Sequence, residues 1–314
     1  MTKILVFGAS GFVGRALVSE LSKYNYNIVA ITRSSVPDRN KLPGVSYKEA
    51  PDDQDLQSLN ISNIDFVFNC AGEVSNSDGF YNANVLFVQK IIKFCNSSRV
   101  KIFIQLSSVG SYGASIDDDI VTESYIKKPK NLYEMSKAGA ETLIANSLTH
   151  SEYTVLQPSN IVELYGGKRS HRVLATALKC RLWPYGGVKL NYCALEVLIS
   201  FICKKIIQND EISLPHFLRN REVILNTRLE VRNLYDLGDI GVPVNKVLKV
   251  SLALFRKIYP YTPFFKKLIF RIILTLEELT ALRGFHSNSA QVDKYFNNPA
   301  VKNLLVEYFK GKRT

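Results

Sequence analysis

Residues 3–14 read Lys-Ile-Leu-Val-Phe-Gly-Ala-Ser-Gly-Phe-Val-Gly, and they carry the strongest indication of the fold class. The apolar run from Lys3 to Phe7 predicts a short strand, and the helical spacing of the apolar residues after Gly14 predicts a helix. Glycines in such a turn let the backbone approach a pyrophosphate, although an ordinary tight turn has a similar composition. We expect a dinucleotide site formed by the residues of this turn, Gly8, Ser10, Gly11, Phe12, Val13 and Gly14.

Strands and helices alternate through the first half of the chain. The further predicted strands are Asn27–Thr32, Phe66–Asn69, Ile102–Leu106 and Tyr153–Leu156, and predicted helices lie near Tyr81–Cys95 and Tyr133–Ser147. This alternation is typical of an α/β protein with a doubly wound parallel (Rossmann) sheet. We expect a Rossmann domain over residues 1–165 and a smaller, mainly helical substrate lobe over residues 166–314, with some segments interleaved with the first domain.

The composition indicates a reduced, cytoplasmic protein. The 314 residues include five cysteines, without a C-x-x-C pair or nearby histidines at ligand spacing, so we expect neither disulfides nor a metal site. The N-terminus lacks the apolar region and the cleavage site of a signal peptide. Apolar runs stay short of the roughly 18 residues that a membrane span requires.

Positive charge is concentrated near the C-terminus. The net charge is +12, and from Lys246 onward there are 13 Lys or Arg residues against 4 Asp or Glu residues. Between Val242 and Leu276 apolar and basic residues alternate in blocks, which is typical of a peripheral helix on the inner face of an anionic membrane. The alternative is the outer helix of a lobe. Nucleic-acid binding is not expected, because no recognition motif accompanies the charge.

Tyr133 and Lys137 are four residues apart at the start of a predicted helix, and therefore on one face. A tyrosine hydroxyl has a reference pKa of about 10, and a nearby lysine cation lowers this pKa. Ser108 follows a predicted strand and can hold a substrate oxygen. We predict that these three residues are the catalytic group, although the Tyr-Lys spacing alone is also common on surface helices.

Several motifs together resemble the extended short-chain dehydrogenase/reductases, particularly their nucleotide-sugar epimerase/dehydratase group. Ser108 lies four residues before a Tyr-Gly pair, and residues 133–137 carry the Tyr-x-x-x-Lys motif of that group. Further matches are Asn69-Cys70-Ala71-Gly72, Asn84-Val85, Glu123 before Pro129, and Pro158-Ser159-Asn160.

The resemblance implies a role for each of these residues. Tyr133 would be the general acid or base at a sugar oxygen, Ser108 would orient that oxygen, and Lys137 would bind the nicotinamide-ribose hydroxyls. Besides Tyr133 and Lys137, the further cofactor-binding residues would be Ala71, Gly72, Asn84, Pro158 and Ser159. The alternative role of Asn84 is hydrogen bonding within the fold.

The segment after the second strand indicates which dinucleotide binds. NAD sites usually place an acid there for the ribose 2′-hydroxyl, whereas an arginine accommodates the 2′-phosphate of NADP. Thr32-Arg33-Ser34-Ser35 contains no acid. This favours NADP over NAD, although an arginine stacked on adenine is compatible with either.

The sequence departs from the family pattern at three places. Val109-Gly110 stands where dehydratases of this group carry an Asp-Glu pair, so water elimination is not expected. An adenine-contacting Asp-Leu pair is not clear in residues 49–53. Gln157 replaces the usual arginine before Pro158, a change that we expect to alter the substrate side.

Beyond residue 165 the resemblance fades. Cations follow Asn160 where the family begins to bind the nucleotide diphosphate, so we expect Asn160, Arg169 and Arg172 to bind a nucleotide sugar, unless the segment is a solvated loop. The expected function is that of a 4-keto-sugar reductase or a 4-epimerase in surface polysaccharide biosynthesis, working as a homodimer. The alternatives are a reductase of a non-sugar alcohol or ketone, a reductase of a lipid-linked sugar, and a non-catalytic dinucleotide sensor.

Overall fold

The computed structural model of the chain describes residues 1–51, 54–113, 120–164, 189–207, 212–230 and 284–309. The predicted substrate residues Arg169 and Arg172 and the segment from Val242 to Leu276 lie outside these ranges. Within them, no helix is both long enough and apolar enough to cross a membrane. The same residues contain no group of three His, Cys, Asp or Glu side chains arranged to hold a metal ion.

The described residues form α-helices and strands, with short helical turns between them. The strands are β1 (Lys3–Phe7), β2 (Asn27–Thr32), β3 (Val45–Glu49), β4 (Phe66–Asn69), β5 (Ile102–Leu106), β6 (Ile120–Val121), β7 (Glu152–Pro158), β8 (Asn160–Val162), β9 (Lys189–Ala194), β10 (Arg221–Leu225), β11 (Thr227–Glu230) and β12 (Gly284–Phe285). The α-helices are α1 (Phe12–Leu21), α2 (Phe87–Ser98), α3 (Leu132–Ser147), α4 (Leu195–Phe201), α5 (Ala290–Phe296) and α6 (Pro299–Phe309).

The central sheet has seven strands in the order β10-β7-β5-β4-β1-β2-β3, and every neighbouring pair is parallel. The predicted doubly wound sheet is therefore confirmed. The strand order reverses between β1 and β4, and ligands of such sheets bind at the carboxyl ends of the strands at that point. The edge strand β10 comes from the second half of the chain, and the predicted division at residue 165 stays a prediction.

The strand β1 is buried on both faces, which explains its uninterrupted apolar run. Ile4 and Val6 pack into a core cluster that also contains residues of α1 and α4. Leu5 and Phe7 pack into a second cluster with residues of α2 and α3. The two helical layers thus fix the end of β1, where the glycine turn begins. Two small sheets, β11-β9-β8 and β12-β6, lie outside the central sheet.

Candidate active site

The glycine turn after β1 is packed so closely that side chains do not fit in it. Gly8 has a φ of +71°, and a Cβ atom there would lie 2.5 Å from the backbone nitrogen of Ala71. A Cβ atom at Gly14 would lie 2.2 Å from the carbonyl oxygen of Gly8. The nitrogen of Gly11 donates to that oxygen at 2.9 Å. Helix α1 is therefore held directly against the end of β1.

The N-terminus of α1 is suited to an anion. Its N-cap is Gly11, which offers no capping side chain, and its first turn holds no acidic residue. The first N–H groups of a helix have no partner within the helix and carry the positive end of its dipole. Ser10 and Gly11 are exposed, whereas Val13 and Gly14 are buried beneath them. This cradle fits the pyrophosphate of a dinucleotide.

The residues after β2 form the neighbouring part of the same sheet edge. The hydroxyl of Thr32 donates to the carbonyl oxygen of Ser34 at 2.8 Å and so turns the chain. Arg33 follows Thr32 directly and is exposed. The first acidic residue after β2 is Asp38, in the next helical turn. The structure thus places Arg33 at the end of β2, where a side chain would contact the 2′-phosphate or the ribose hydroxyl of the cofactor.

Ser108 and Tyr133 come together beside β5. Ser108 follows the strand and accepts a hydrogen bond from the nitrogen of Gly110 at 3.0 Å. The hydroxyl of Ser108 lies near enough to the Tyr133 hydroxyl to lower its pKa. A Cβ atom at Gly110 would lie 3.3 Å from Ser108 Oγ and 3.4 Å from Tyr133 Cε1, so a glycine leaves room for this contact. The ring of Phe80 packs edge-on against Tyr133 with 5.5 Å between the centroids.

The start of α3 fixes the direction of Tyr133 and Lys137. The Asn131 side chain caps the helix by accepting from the nitrogen of Glu134 at 2.9 Å. The Glu134 carboxylate reaches back to the nitrogen of Lys130 at 2.6 Å, a reciprocal arrangement of the capping-box kind. The helix begins at Leu132, one residue before Tyr133. Tyr133 and Lys137 are therefore one turn apart on the same face of α3, and this face is turned inward.

Lys137 lies deep in the site. Its side chain is 6% exposed, and Nζ is 5.8 Å from the centroid of the Tyr133 ring. The loop after β4 meets it there, since a Cβ atom at Gly72 would lie 3.2 Å from Lys137 Nζ. The predicted residues Ala71, Gly72, Tyr133 and Lys137 are thus brought to the same sheet edge as the glycine turn.

Asn84 joins this loop to α3. Its Oδ1 accepts from the nitrogen of Glu73 at 2.9 Å, and its Nδ2 donates to the Glu73 carbonyl and to Ser136 Oγ, each at 3.0 Å. Asn84 is 2% exposed. These bonds use both amide donors, which favours the alternative in which Asn84 holds the loop and does not contact the cofactor directly.

Burial is the largest influence on the proton affinities of Tyr133 and Lys137, the two titratable residues of the predicted catalytic group. Burial raises the pKa of Tyr133, the nearby hydroxyl of Ser108 lowers it, and the charges of Glu141 and Glu134 raise it. Burial is the largest of these effects, and the net pKa of Tyr133 is raised instead of lowered as its spacing from Lys137 predicts. Burial also destabilises the ammonium and lowers the pKa of Lys137 to about 8, while the charge of Glu141 opposes this shift.

The residues after β7 complete the site edge. The nitrogen of Ser159 donates to the carbonyl of Leu225 at 3.1 Å, which anchors the turn to β10. Its hydroxyl is buried and has no hydrogen-bond partner among the described residues. Pro158 is buried and Asn160 is exposed, with Asn160 Nδ2 3.5 Å from the carbonyl of Asn191. The unpaired hydroxyl is a fit for a dinucleotide, because a bound ligand would supply its partner.

Gln157 does not face the substrate side, so that expectation was wrong. The side chain is fully buried beneath α3. It accepts from the Tyr112 hydroxyl at 3.0 Å and donates to Glu141 and Glu222, each at 3.1 Å. Sequence reasoning missed this cluster. The position of Glu141, one turn after Lys137, is a signal that could have found it, whereas no sequence spacing connects Glu222.

This fold and this arrangement of serine, tyrosine and lysine are those of the extended short-chain dehydrogenase/reductases. The model of the NAD dependent epimerase/dehydratase family matches residues 4–182. The chain belongs to this family, as the resemblance implied.

Relatives and solved structures fit this assignment. The chain is 25% identical over 169 residues to a putative UDP-glucose 4-epimerase of Methanocaldococcus jannaschii, a match covering 50% of the chain and 55% of the relative. It is 27% identical over 169 residues to the GDP-6-deoxy-D-talose 4-dehydrogenase of Aggregatibacter actinomycetemcomitans, covering 52% and 54%. The chain thus matches about half the length of these curated relatives. The structure of a UDP-glucuronic acid 4-epimerase from Bacillus cereus in complex with NAD has the same fold, with a TM-score of 0.63, 16% identity and 99% of both chains covered.

Proposed function

We propose that the protein is a reductase or 4-epimerase acting at position 4 of a nucleotide-linked sugar. The observation that carries this proposal is the contact of Ser108 with Tyr133 beside Lys137, at the sheet edge that also holds the glycine turn. The names of two relatives support the substrate class, since one is a 4-epimerase and the other a 4-dehydrogenase of nucleotide sugars.

Reduction is the direction that we favour. The support is the exposed Arg33, because a net reductase consumes NADPH, and the Tyr133 phenol is protonated at neutral pH and so has a proton to donate to a keto oxygen. Ser108 would hold that oxygen, and Lys137 would bind the nicotinamide-ribose hydroxyls. The bound dinucleotide supplies the hydride. An epimerase would instead return the hydride to the same sugar and retain its cofactor.

We propose NADP as the preferred cofactor, with NAD as the alternative. The support is the exposed Arg33 at the end of β2 and the lack of an acid before Asp38. Fluorescence titration with NADPH and NADH measures the preference. Substituting Arg33→Ala is expected to weaken NADPH binding and to leave NADH binding nearly unchanged, and equal losses for both would reject the assignment.

The test of the proposed function is NADPH consumption with a panel of nucleotide-linked 4-keto sugars. Turnover is expected in the wild type and in Tyr24→Phe, whose ring is exposed on the surface. Tyr133→Phe is expected to lose turnover while still binding cofactor. Undiminished turnover in Tyr133→Phe would reject the mechanism, and cofactor binding without turnover on any substrate would favour the sensor alternative. Mass spectrometry of the cofactor retained after purification distinguishes a reductase from a 4-epimerase, because tightly bound NAD indicates epimerisation.

The cellular setting is part of the same proposal. We place the enzyme in the cytoplasm, in surface polysaccharide biosynthesis, as a homodimer with a peripheral membrane contact through the basic segment between Val242 and Leu276. The support is the charge pattern of that segment. Flotation with anionic liposomes at low salt tests the contact, and complete failure to co-float would reject it.

A further inference from the structure

A cluster of buried charges lies behind the catalytic residues, between α3, β7 and β10. Its centre is Glu141, which is 1% exposed and one helical turn after Lys137. Glu222 of β10 presents a second carboxylate to the same groups, since Gln157 Nε2 donates to both at 3.1 Å. Two carboxylates that accept from the same amide nitrogen lie close together, so the negative charge of each disfavours the ionisation of the other. Burial disfavours ionisation further. Ser107 and Gln157 donate hydrogen bonds to Glu141, and a cation beside it favours its ionised form further.

Lys127 is the cation that contacts both carboxylates. Its Nζ lies 2.5 Å from Glu141 Oε2 and also donates to Glu222 Oε1. The same ammonium lies 5.7 Å from the centroid of the Tyr112 ring, which adds a cation–π contact. Lys127 reaches the cluster from the loop between β6 and α3, and its side chain is 23% exposed.

The neutral amide at position 157 makes this lysine necessary. Gln157 fills the middle of the cluster and satisfies Tyr112, Glu141 and Glu222 by hydrogen bonds, but it brings no charge. An arginine at the same position on β7 would face the same two carboxylates. The cation in this chain therefore comes from the loop and not from the strand.

We propose that Lys127 is a positioning residue of the active site, which keeps Glu141 ionised and thereby keeps the neighbouring Lys137 charged and α3 seated on the sheet. This inference rests on the proposed roles of Tyr133 and Lys137. Glu141 lies four residues after Lys137 on the same face of α3, where its charge opposes the effect of burial and so raises the pKa of the Lys137 ammonium. Burial raises the pKa of Glu141, the charge and hydrogen bond of Lys127 oppose this effect, and the charge of Glu222 adds to it, so the net pKa of Glu141 is raised and Lys127 is the cation that favours its ionised form. The charged or titratable groups that interact with Glu141 are Lys127, Glu222, Tyr112, Tyr133 and Lys137.

The test is the titration of Lys137 itself, followed by NMR of the full-length protein labelled with [13Cε]lysine. A Lys137→Arg variant identifies its resonance. In the wild type Lys137 is expected to titrate with a pKa of about 8. In Lys127→Met, Glu141 takes up a proton and no longer supports the ammonium, so the midpoint is expected to fall by about one pH unit. The matched control is Lys128→Met, which removes an adjacent exposed lysine and is expected to leave the midpoint unchanged.

Two further variants keep the test decisive if Lys127→Met does not fold. The double variant Lys127→Met/Gln157→Arg returns a cation to the cluster and is expected to restore the wild-type midpoint. Glu222→Gln removes the carboxylate that opposes ionisation of Glu141, so the Lys137 midpoint is expected to stay or to rise. An unchanged midpoint in Lys127→Met, a lowered midpoint in the double variant, or a fall in Glu222→Gln overturns the proposal.

The titration and the turnover assay fail independently of each other. The NMR measurement needs no substrate, so an unchanged midpoint rejects the role of Lys127 and leaves the proposed function standing. Lack of turnover in the wild type rejects the proposed function and leaves the charge linkage between Lys127, Glu141 and Lys137 as measured.

Discussion

Two helical glycines of this chain are expected to respond in opposite ways to the same substitution. Gly14 lies in the first turn of α1, and a Cβ atom there would approach the Gly8 carbonyl oxygen to 2.2 Å and its carbon to 2.9 Å. Both atoms are backbone, so the contact is relieved only if α1 moves away from the end of β1. Gly139 lies in the interior of α3, where the nearest atom to an added Cβ is Val85 Cγ2 at 4.0 Å.

The expected magnitudes follow from these contacts. Overpacking costs about 1–3 kcal/mol, and the backbone contact at Gly14 places Gly14→Ala toward the upper end, partly offset by the helix preference for alanine. We expect Gly14→Ala to lower the free energy of unfolding by about 2 kcal/mol and to abolish tight dinucleotide binding. Gly139→Ala meets no clash, so it is expected to raise the free energy of unfolding by about 1 kcal/mol.

Urea unfolding and fluorescence titration with NADPH measure both effects. Gly139→Ala is the matched control, since it adds the same methyl group to a helix without touching the cradle. If Gly14→Ala were as stable as the wild type and bound NADPH equally well, the close packing of α1 on β1 would not be the basis of the site.

Three further predictions concern single side chains near the site. Asn84→Ala leaves the backbone N–H and carbonyl of Glu73 without their hydrogen-bond partners. Because each unsatisfied buried group costs about 1–3 kcal/mol, the free energy of unfolding measured in urea is expected to fall by about 2 kcal/mol. A loss below the error of the measurement would contradict the role of Asn84 in joining the loop to α3. Ser159→Ala removes a buried hydroxyl that has no partner in the described residues, so stability is expected to hold or rise while the dinucleotide Kd increases, and an unchanged Kd would rule out a ligand contact. Cys70 is half-buried, and the burial of its thiol raises the pKa to about 12, so mass spectrometry after iodoacetamide treatment at pH 8 is expected to find Cys70 almost unmodified, and rapid alkylation would contradict the raised pKa.

The fold of the first half of the chain was predictable because its signals are local. The strand, the glycine turn and the helix from Lys3 to Leu21 are contiguous, and the inward face shared by Tyr133 and Lys137 follows from helical spacing alone. Strand β10 was not predicted. It has only five residues, and its partners in β7 lie about 67 positions earlier in the chain, so no local pattern indicates the pairing.

The electrostatics of the site were less predictable than its residues. The expectation that Lys137 lowers the pKa of Tyr133 was based on their spacing alone. Burial raises the pKa of Tyr133 and lowers that of Lys137, and spacing does not indicate burial. The role of Gln157 was misjudged for a similar reason, because the direction in which a strand residue faces depends on the layer packed against it. Lys127 and Glu222 are 95 positions apart, and no pattern in the sequence brings them together.

The catalytic group is tested most directly by a hydride-transfer measurement with NADPH that carries deuterium at both C4 positions of the nicotinamide and a nucleotide-linked 4-keto sugar. The wild type is expected to place deuterium on carbon 4 of the sugar, and Tyr133→Phe is expected to transfer almost none. Transfer by Tyr133→Phe at the wild-type rate, or NADPH oxidation that leaves the sugar without deuterium, would contradict the assignment of Ser108, Tyr133 and Lys137 as the catalytic group.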